Sequence, residues 1–409
     1  GSGRIASLAV LILLLVPEHE FAILRASHER LDRAFLMTAL WLLLRAARAR
    51  DYRFSGGVHL ALVLVMAWGL IATNALFGMS LVAALLSALA LSWVAAKVVP
   101  SVRVEASAAT RMLLWPTVGA SVLLIVFVMF VYPPIQPTLR ELASIPARLI
   151  DLILNGGGGF NPYAGILAAW VSPLTYLLLS LIDFVLLVGS VAVWATLGWR
   201  WLRGRTPASL GSWMLWVFFA AFSVQGAASI LSDRTGSLAA NVQYRAFAVF
   251  AVIAVPMLAT ALGRLQMPHG RLRPVVAAVV ALAVTGATVT ALLKSTLDPD
   301  VSNKWIFYTQ PELEGEIWMS TSLPGQRTWV GPDDRLLAAY EMAVGGLSHA
   351  DVWDLDAPDP GTSYYLRSDV VVEQSERLGQ ALPDLTGTGV VYDNGAVQIH
   401  RDDPFVLPP

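Results

Sequence analysis

Two groups of residues have types and spacing that suit chemistry on a charged substrate. The stretch "VPEHEFAILRASHERLDR", Val16 to Arg33, carries seven charged residues and two histidines between the apolar runs "IASLAVLILLL" and "AFLMTALWLLL". Within it Arg25, His28, Glu29 and Asp32 fall at i, i+3, i+4 and i+7, one face of a helix. Such a face can line a substrate site. It can equally lie among lipid headgroups, where pairs such as Arg25–Glu29 contribute only about 0.3–0.5 kcal/mol each. His19 and His28 lack the spacing of a recognised metal motif such as H-E-x-x-H.

The second group lies in "SDRTGSLAANVQYRAF", Ser232 to Phe247, which supplies Arg234, Tyr244 and Arg245. A guanidinium there can take a phosphate bidentately, or Arg245 can simply anchor the apolar run that follows it. A further acid, Asp183, falls inside "TYLLLSLIDFVLL", near the middle of an apolar segment. Burying a carboxylate at bilayer depth costs at least ~2.5 kcal/mol, so it either relays protons or ions or pairs with a polar partner such as Gln225. Pro173 can break the helix ahead of it, as happens at transporter sites.

The elements that must position these groups are apolar. The chain is 56% hydrophobic and only 14% charged, values of a protein that lives in lipid. "MLLWPTVGASVLLIVFVMFVY" and "PVVAAVVALAVTGATVTALL" each reach the ~20 residues needed to cross a bilayer. Nine spans are expected, at 5–16, 34–46, 57–73, 76–98, 112–132, 168–198, 212–232, 246–262 and 274–293. In 76–98, Ser80, Ala84, Ala88, Ser92 and Ala96 form a small-residue stripe for close helix packing.

Charge sets the expected orientation. From Lys294 onward there are seven basic and nineteen acidic residues; before it, 21 basic and ten acidic. Every second connection between the expected spans is basic, which places the N-terminus in the cytoplasm and the acidic tail outside a plasma membrane. Trp194, Trp199, Trp201, Trp213 and Trp216 flank the basic loop 200–205 and read as an interfacial belt. On the outer side, Leu139, Leu142, Ile145, Leu149 and Leu152 alternate with Arg140, Glu141, Arg148 and Asp151, an amphipathic helix for the membrane surface. The "GGGGF" after it lacks the Lys-Ser/Thr and preceding strand of a phosphate loop and reads as a hinge.

The fold class expected is therefore mainly α: a polytopic bundle over 1–293, followed by a small α/β soluble domain over 294–409. In the tail, "RTWVG", "SYYLRSDVVV", "GVVYD" and "AVQIHR" read as strands, the last two joined by Asp393-Asn394-Gly395. "PELEGEIWMS" and "PDDRLLAAYEMAV" read as helices. No cysteine is present, so disulfides and thiolate metal sites are excluded. No cofactor follows from these residues, and a divalent metal has no spaced ligand set to support it. The basic residues are scattered flanks without stacking aromatics, which argues against a nucleic-acid partner and leaves membrane lipid as the expected one. The opening Gly1-Ser2-Gly3, without methionine, reads as an incomplete or processed N-terminus.

The order of bundle, outward amphipathic segment, arginine-bearing last outer loop and exported α/β tail resembles multipass glycosyltransferases of the C-type superfamily. The residues carrying the resemblance are "ASHERLDRAFLMTALWLLLRA", "NVQYRAFAVFAVIAV", "ELEGEIWMSTSLPGQRTWVGPDDR" and "VYDNGAVQIHR". The resemblance implies transfer of a sugar from a lipid-phosphate donor at the outer leaflet. It also implies an acidic general base in the first outer loop, here Glu18 or Glu20, and a donor-phosphate arginine, matched in position by Arg245. In that family the acid precedes a long loop. Glu18 and Glu20 lie in a short one, so either helices are missing ahead of Gly1 or the base is absent. A transporter or flippase with Asp183 as coupling acid, and a non-catalytic envelope-assembly subunit, remain the alternatives.

Overall fold

The computed structural model describes residues 2–17, 29–48, 57–155, 180–233, 242–263, 272–293, 309–322, 329–330, 349–350, 364–369 and 388–401, with a few single positions between them. These fall into two compact units. One is drawn from Gly1–Tyr163 and Leu174–Asp298; the described residues of the other lie in Pro299–Pro409.

The first unit is a helix bundle. Its elements are α1 (Ser2–Leu14), α2 (Glu29–Arg48), α3 (Gly57–Thr73), α4 (Ala75–Val98), α5 (Arg103–Val126), α6 (Gln136–Asn155), α7 (Leu181–Leu202), α8 (Leu210–Asp233), α9 (Val242–Leu262) and α10 (Leu272–Leu292). Five helical segments are long and apolar enough to cross a membrane: Ala75–Val98, Pro100–Val131, Leu181–Leu202, Leu210–Asp233 and Pro274–Leu292. Gly3–Leu14, Gly57–Thr73 and Ala246–Leu262 are apolar but shorter. Only 6% of the apolar window in α10 is buried, and Phe130, Leu282 and Ile125 stand well exposed. Such helices have the length and composition to cross a membrane.

Three contacts set the packing directions. Ser80 donates to Gln225 Oε1 (2.6 Å) and Trp213 Nε1 donates to Ser92 Oγ (3.1 Å), so α4 and α8 run antiparallel along the small-residue stripe. Ala84 and Ala88, between those bonds, are fully buried. Asn74 caps α4, its side chain accepting from the amides of Leu76 and Phe77. Asp32 and Thr73 join the start of α2 to the end of α3. The core of Leu81, Leu85, Phe218, Phe219 and Phe222 lies among α4, α8 and their neighbours.

Four of the five tryptophans pack against one another. Trp194 stacks on Trp216 (centroids 4.8 Å apart, planes at 13°) and Trp216 on Trp213 (5.4 Å, 18°). Trp194 Nε1 donates to the carbonyl of Trp216 (3.1 Å), and Trp216 Nε1 to that of Trp194 (2.9 Å). Trp201 and Trp213 are buried; Trp199 alone of the five is exposed. Each inward indole N–H of Trp194, Trp213 and Trp216 finds an acceptor.

α5 ends in a π-helical turn, Phe127–Val131, and a 3-10 turn at Pro133–Ile135 leads into α6. Phe127, Val128 and Ile135 pack with Ile71 and Ala75, and Leu139 of α6 docks there. α6 has the expected apolar stripe, with Ile145 buried. It also has a second, exposed apolar flank of Ile150, Ile153 and Leu154, and exposed Arg140, Arg148 and Asp151 beyond it. The hinge expected at 156–160 lies outside the described residues.

The second unit contains α11 (Gln310–Ser322) and a sheet ordered β2-β1-β3-β5-β4, with β1 (Trp329–Val330), β2 (His349–Ala350), β3 (Tyr364–Ser368), β4 (Gly389–Asp393) and β5 (Val397–Arg401). β1 pairs in parallel with β2 and β3, while β5 pairs antiparallel with β3 and β4. The β4–β5 turn is the expected Asp393-Asn394-Gly395, with Gly395 at φ 86°. Asn394 Oδ1 accepts from Val397 N (2.8 Å) while its amide donates to Pro311 O (2.7 Å), tying the hairpin to α11. α11 opens with a reciprocal cap: Thr309 N donates to Glu312 Oε2 (2.7 Å) and Glu312 N to Thr309 Oγ1 (3.4 Å). Met319, Leu336, Tyr364, Leu366, Val397 and Ile399 form its core. Apart from Leu336, the helix expected over 332–344 lies outside the described residues.

Candidate functional site

Among the described residues, the charged groups of the bundle that are withdrawn from solvent gather at one end. Since α4 and α8 are antiparallel, the end of α8 lies level with the start of α4, which follows Thr73 directly. Thr73 in turn holds Asp32 at the start of α2. Asp32, Arg33, Thr73, Ser232 and Asp233 therefore share this end, and α2 packs against α8.

Asp32 is fully buried, and Arg33 and Asp233 nearly so. Thr73 Oγ1 lies 2.6 Å from Asp32 Oδ1 and 2.8 Å from the carbonyl of Gly69. None of the three charged groups is without a partner. Asp32 lies in the first turn of α2, where the helix dipole favours an anion; Asp233 closes α8, where it does not. An acid at a helix C-terminus inside apolar packing requires cationic compensation close by. Ser229 bonds back to Gly226 O (2.7 Å), whereas the buried Ser232 hydroxyl has no hydrogen-bond partner among the described residues. This end also holds the π-helical turn after α5, a departure from α-geometry frequent at functional sites.

The residues singled out from sequence divide three ways. Glu18, Glu20, Arg25, His28 and Arg234 lie outside the described residues. Glu29 begins α2, and Tyr244 and Arg245 sit in the first turn of α9; their side chains also fall outside. Asp183 and Gln225 are described, and each differs from expectation. Asp183 is not mid-span: α7 starts at Leu181, so it lies in the first turn, half-buried. Gln225 does not wait for Asp183. Its Oε1 accepts from the Ser80 hydroxyl and its Nε2 donates to Ser80 O (3.1 Å). Among the described residues no group of three or more His, Asp or Glu could hold a metal ion.

The sequence places Asp32 on a face that can line a substrate site, but singles out neither Arg33 nor Asp233. Both fall just outside expected spans, Arg33 ahead of 34–46 and Asp233 after 212–232. Helix α2 begins five residues ahead of 34, which carries Asp32 and Arg33 inside it. The available signal was the unbroken helical register from Glu29 through "ERLDRAFLMTAL".

In the second unit, burial pushes the His400 imidazole below its ordinary pKa, and nearby Arg367 adds to this. The Thr388 hydroxyl donates to Leu385 O (2.7 Å), so His400 Nδ1–H donates to Thr388 Oγ1 (2.9 Å). His400 Nε2 is buried without a hydrogen-bond partner among the described residues. Asp393 is held below the usual carboxylate range by the Gly395 N–H and the Gln398 amide.

Compared with known proteins, the chain matches no family model and no curated protein.

Proposed function

We propose that this is a multipass membrane protein that transfers a sugar from a lipid-phosphate donor, with its chemistry at the end of the bundle that holds Asp32, Arg33 and Asp233. The observation that carries the reading is the burial of Asp32 against Thr73 in a bundle whose helices are otherwise apolar and uncovered. Evolution tolerates such desolvated charge where it serves binding or catalysis. A carboxylate, Asp32 at this end or Glu18 or Glu20 of the expected first outer loop, takes the proton of the acceptor hydroxyl as the anomeric carbon is attacked. Arginine, Arg33 or Arg245, offsets charge on the departing lipid phosphate. The proposed topology has nine spans, a cytoplasmic N-terminus and an extracytoplasmic acidic domain at the plasma membrane.

The test is transfer of labelled sugar from a polyprenyl-phosphate donor in membranes carrying the full chain. Asp32→Asn and the double variant Glu18→Gln/Glu20→Gln are compared with wild type. Loss of a general base lowers the rate by about a hundredfold or more. Full transfer in both variants sinks the reading. The transporter alternative draws on Asp183, to which the sugar-transfer reading gives no part in the chemistry; it lies in the first turn of α7. Asp183→Asn is therefore expected to leave uptake and transfer unchanged.

A further inference from the structure

The opposite end of the bundle carries a different surface. Trp93 and Trp199 are exposed, and in each case the cation four residues on lies over the ring. Lys97 Nζ is 3.7 Å from the Trp93 centroid, and Arg203 Cζ is 4.3 Å from that of Trp199. The two pairs are level along the bundle. Trp213 bonds Ser92, next to Trp93, and lies 6.1 Å from Trp201, two residues beyond Trp199. α7 also packs against the 3-10 turn Pro100–Val102 that follows Lys97. Arg103, Arg200 and Arg205 are exposed in the same two segments, with Glu105 their one acidic neighbour there.

This surface has two chemistries side by side. A guanidinium lying flat on an indole keeps its in-plane N–H edge for a phosphate, and an ammonium over a ring keeps its outward N–H groups. Immediately beside the cations, Val94, Val98 and Leu202 are exposed by 48%, 69% and 63%. Trp194, Trp201, Trp213 and Trp216 turn inward, whereas Trp41 on α2 repeats the exposed pattern, with Arg45 Cζ 5.4 Å from its centroid.

We propose that this end of the bundle binds anionic phospholipid, with headgroup phosphates on Lys97 and Arg203 and acyl chains along Val94, Val98 and Leu202. The inference rests on the membrane reading above, because it requires lipid at this surface. It assigns a lipid class to the end away from the proposed chemistry.

The full chain is placed in phosphatidylcholine discs with and without phosphatidylglycerol, and the lipid retained after mild extraction is measured. Wild type is expected to retain phosphatidylglycerol over phosphatidylcholine. Lys97→Gln/Arg203→Gln, which keeps both indoles, is expected to lose that preference by about fivefold per cation removed. An equal melting temperature of variant and wild type in pure phosphatidylcholine shows that the fold is intact. Entry into discs with no preference, or a preference unchanged in the variant, overturns this inference alone. Displacement of the bound lipid by equal inorganic phosphate overturns the lipid assignment. Failure to enter discs of either composition overturns the membrane reading as well.

Discussion

At the scale of single residues, burial separates groups that look alike in the sequence. Asp151 and Asp32 both stand on charged faces of helices, yet Asp151 is exposed while Asp32 is fully withdrawn from water. Its Thr73 partner is 41 positions away, a distance no local pattern conveys. Thr73→Val keeps the volume and removes the hydroxyl. We expect it to lower stability by about 1–3 kcal/mol in thermal unfolding, since Asp32 loses a bonded donor. His400 predicts a pH response of the other unit. Its folded pKa lies below the unfolded value, so protons favour the unfolded state. The stability it contributes is complete above about pH 6.5 and declines as the pH falls below that, towards the depressed folded pKa. His400→Leu should flatten the slope of unfolding midpoint against pH between 7.5 and 5.5; an unchanged slope would place it elsewhere.

At the scale of elements, periodic features were legible and junctions were not. The stripe from Ser80 to Ala96, the amphipathic face from Leu139 to Leu152 and the Asn-Gly hairpin each depend on spacing within one element, and each is found. The start of α2, the start of α7 and the inward turn of four tryptophans depend on partners distant in sequence. The Thr309–Glu312 cap was readable as S/T-x-x-E but was not used. Thr309→Ala should cost about 1 kcal/mol, seen as earlier melting of the second unit. Between α3 and α4, a Cβ on Gly78 would lie 2.9 Å from the Cα of Ile71, a backbone atom that cannot swing aside. Gly78→Ala is thus expected to spread that hairpin at about 1–3 kcal/mol, and a variant as stable as wild type would contradict the close packing.

At the scale of the whole molecule, the lipid character of the helices was the most visible property, because it needs only composition and length. Orientation rests on charge alternation alone. A reporter fused after Arg401 is expected to be active only outside the cytoplasm, and cytoplasmic activity would invert the proposed topology. The catalytic reading was least visible, since it turns on buried charges contributed by several helices.

The tryptophan stack also makes the bundle observable. Indoles with centroids 4.8 Å and 5.4 Å apart couple their strong transitions, so this protein should show a split band in far-ultraviolet circular dichroism beside the helical signal. Trp213 and Trp216 belong to one helix, whereas Trp194 comes from its neighbour. Separating α7 from α8 would extinguish the Trp194 coupling and spare the other. The spectrum would then report the parting of two helices in unlabelled protein.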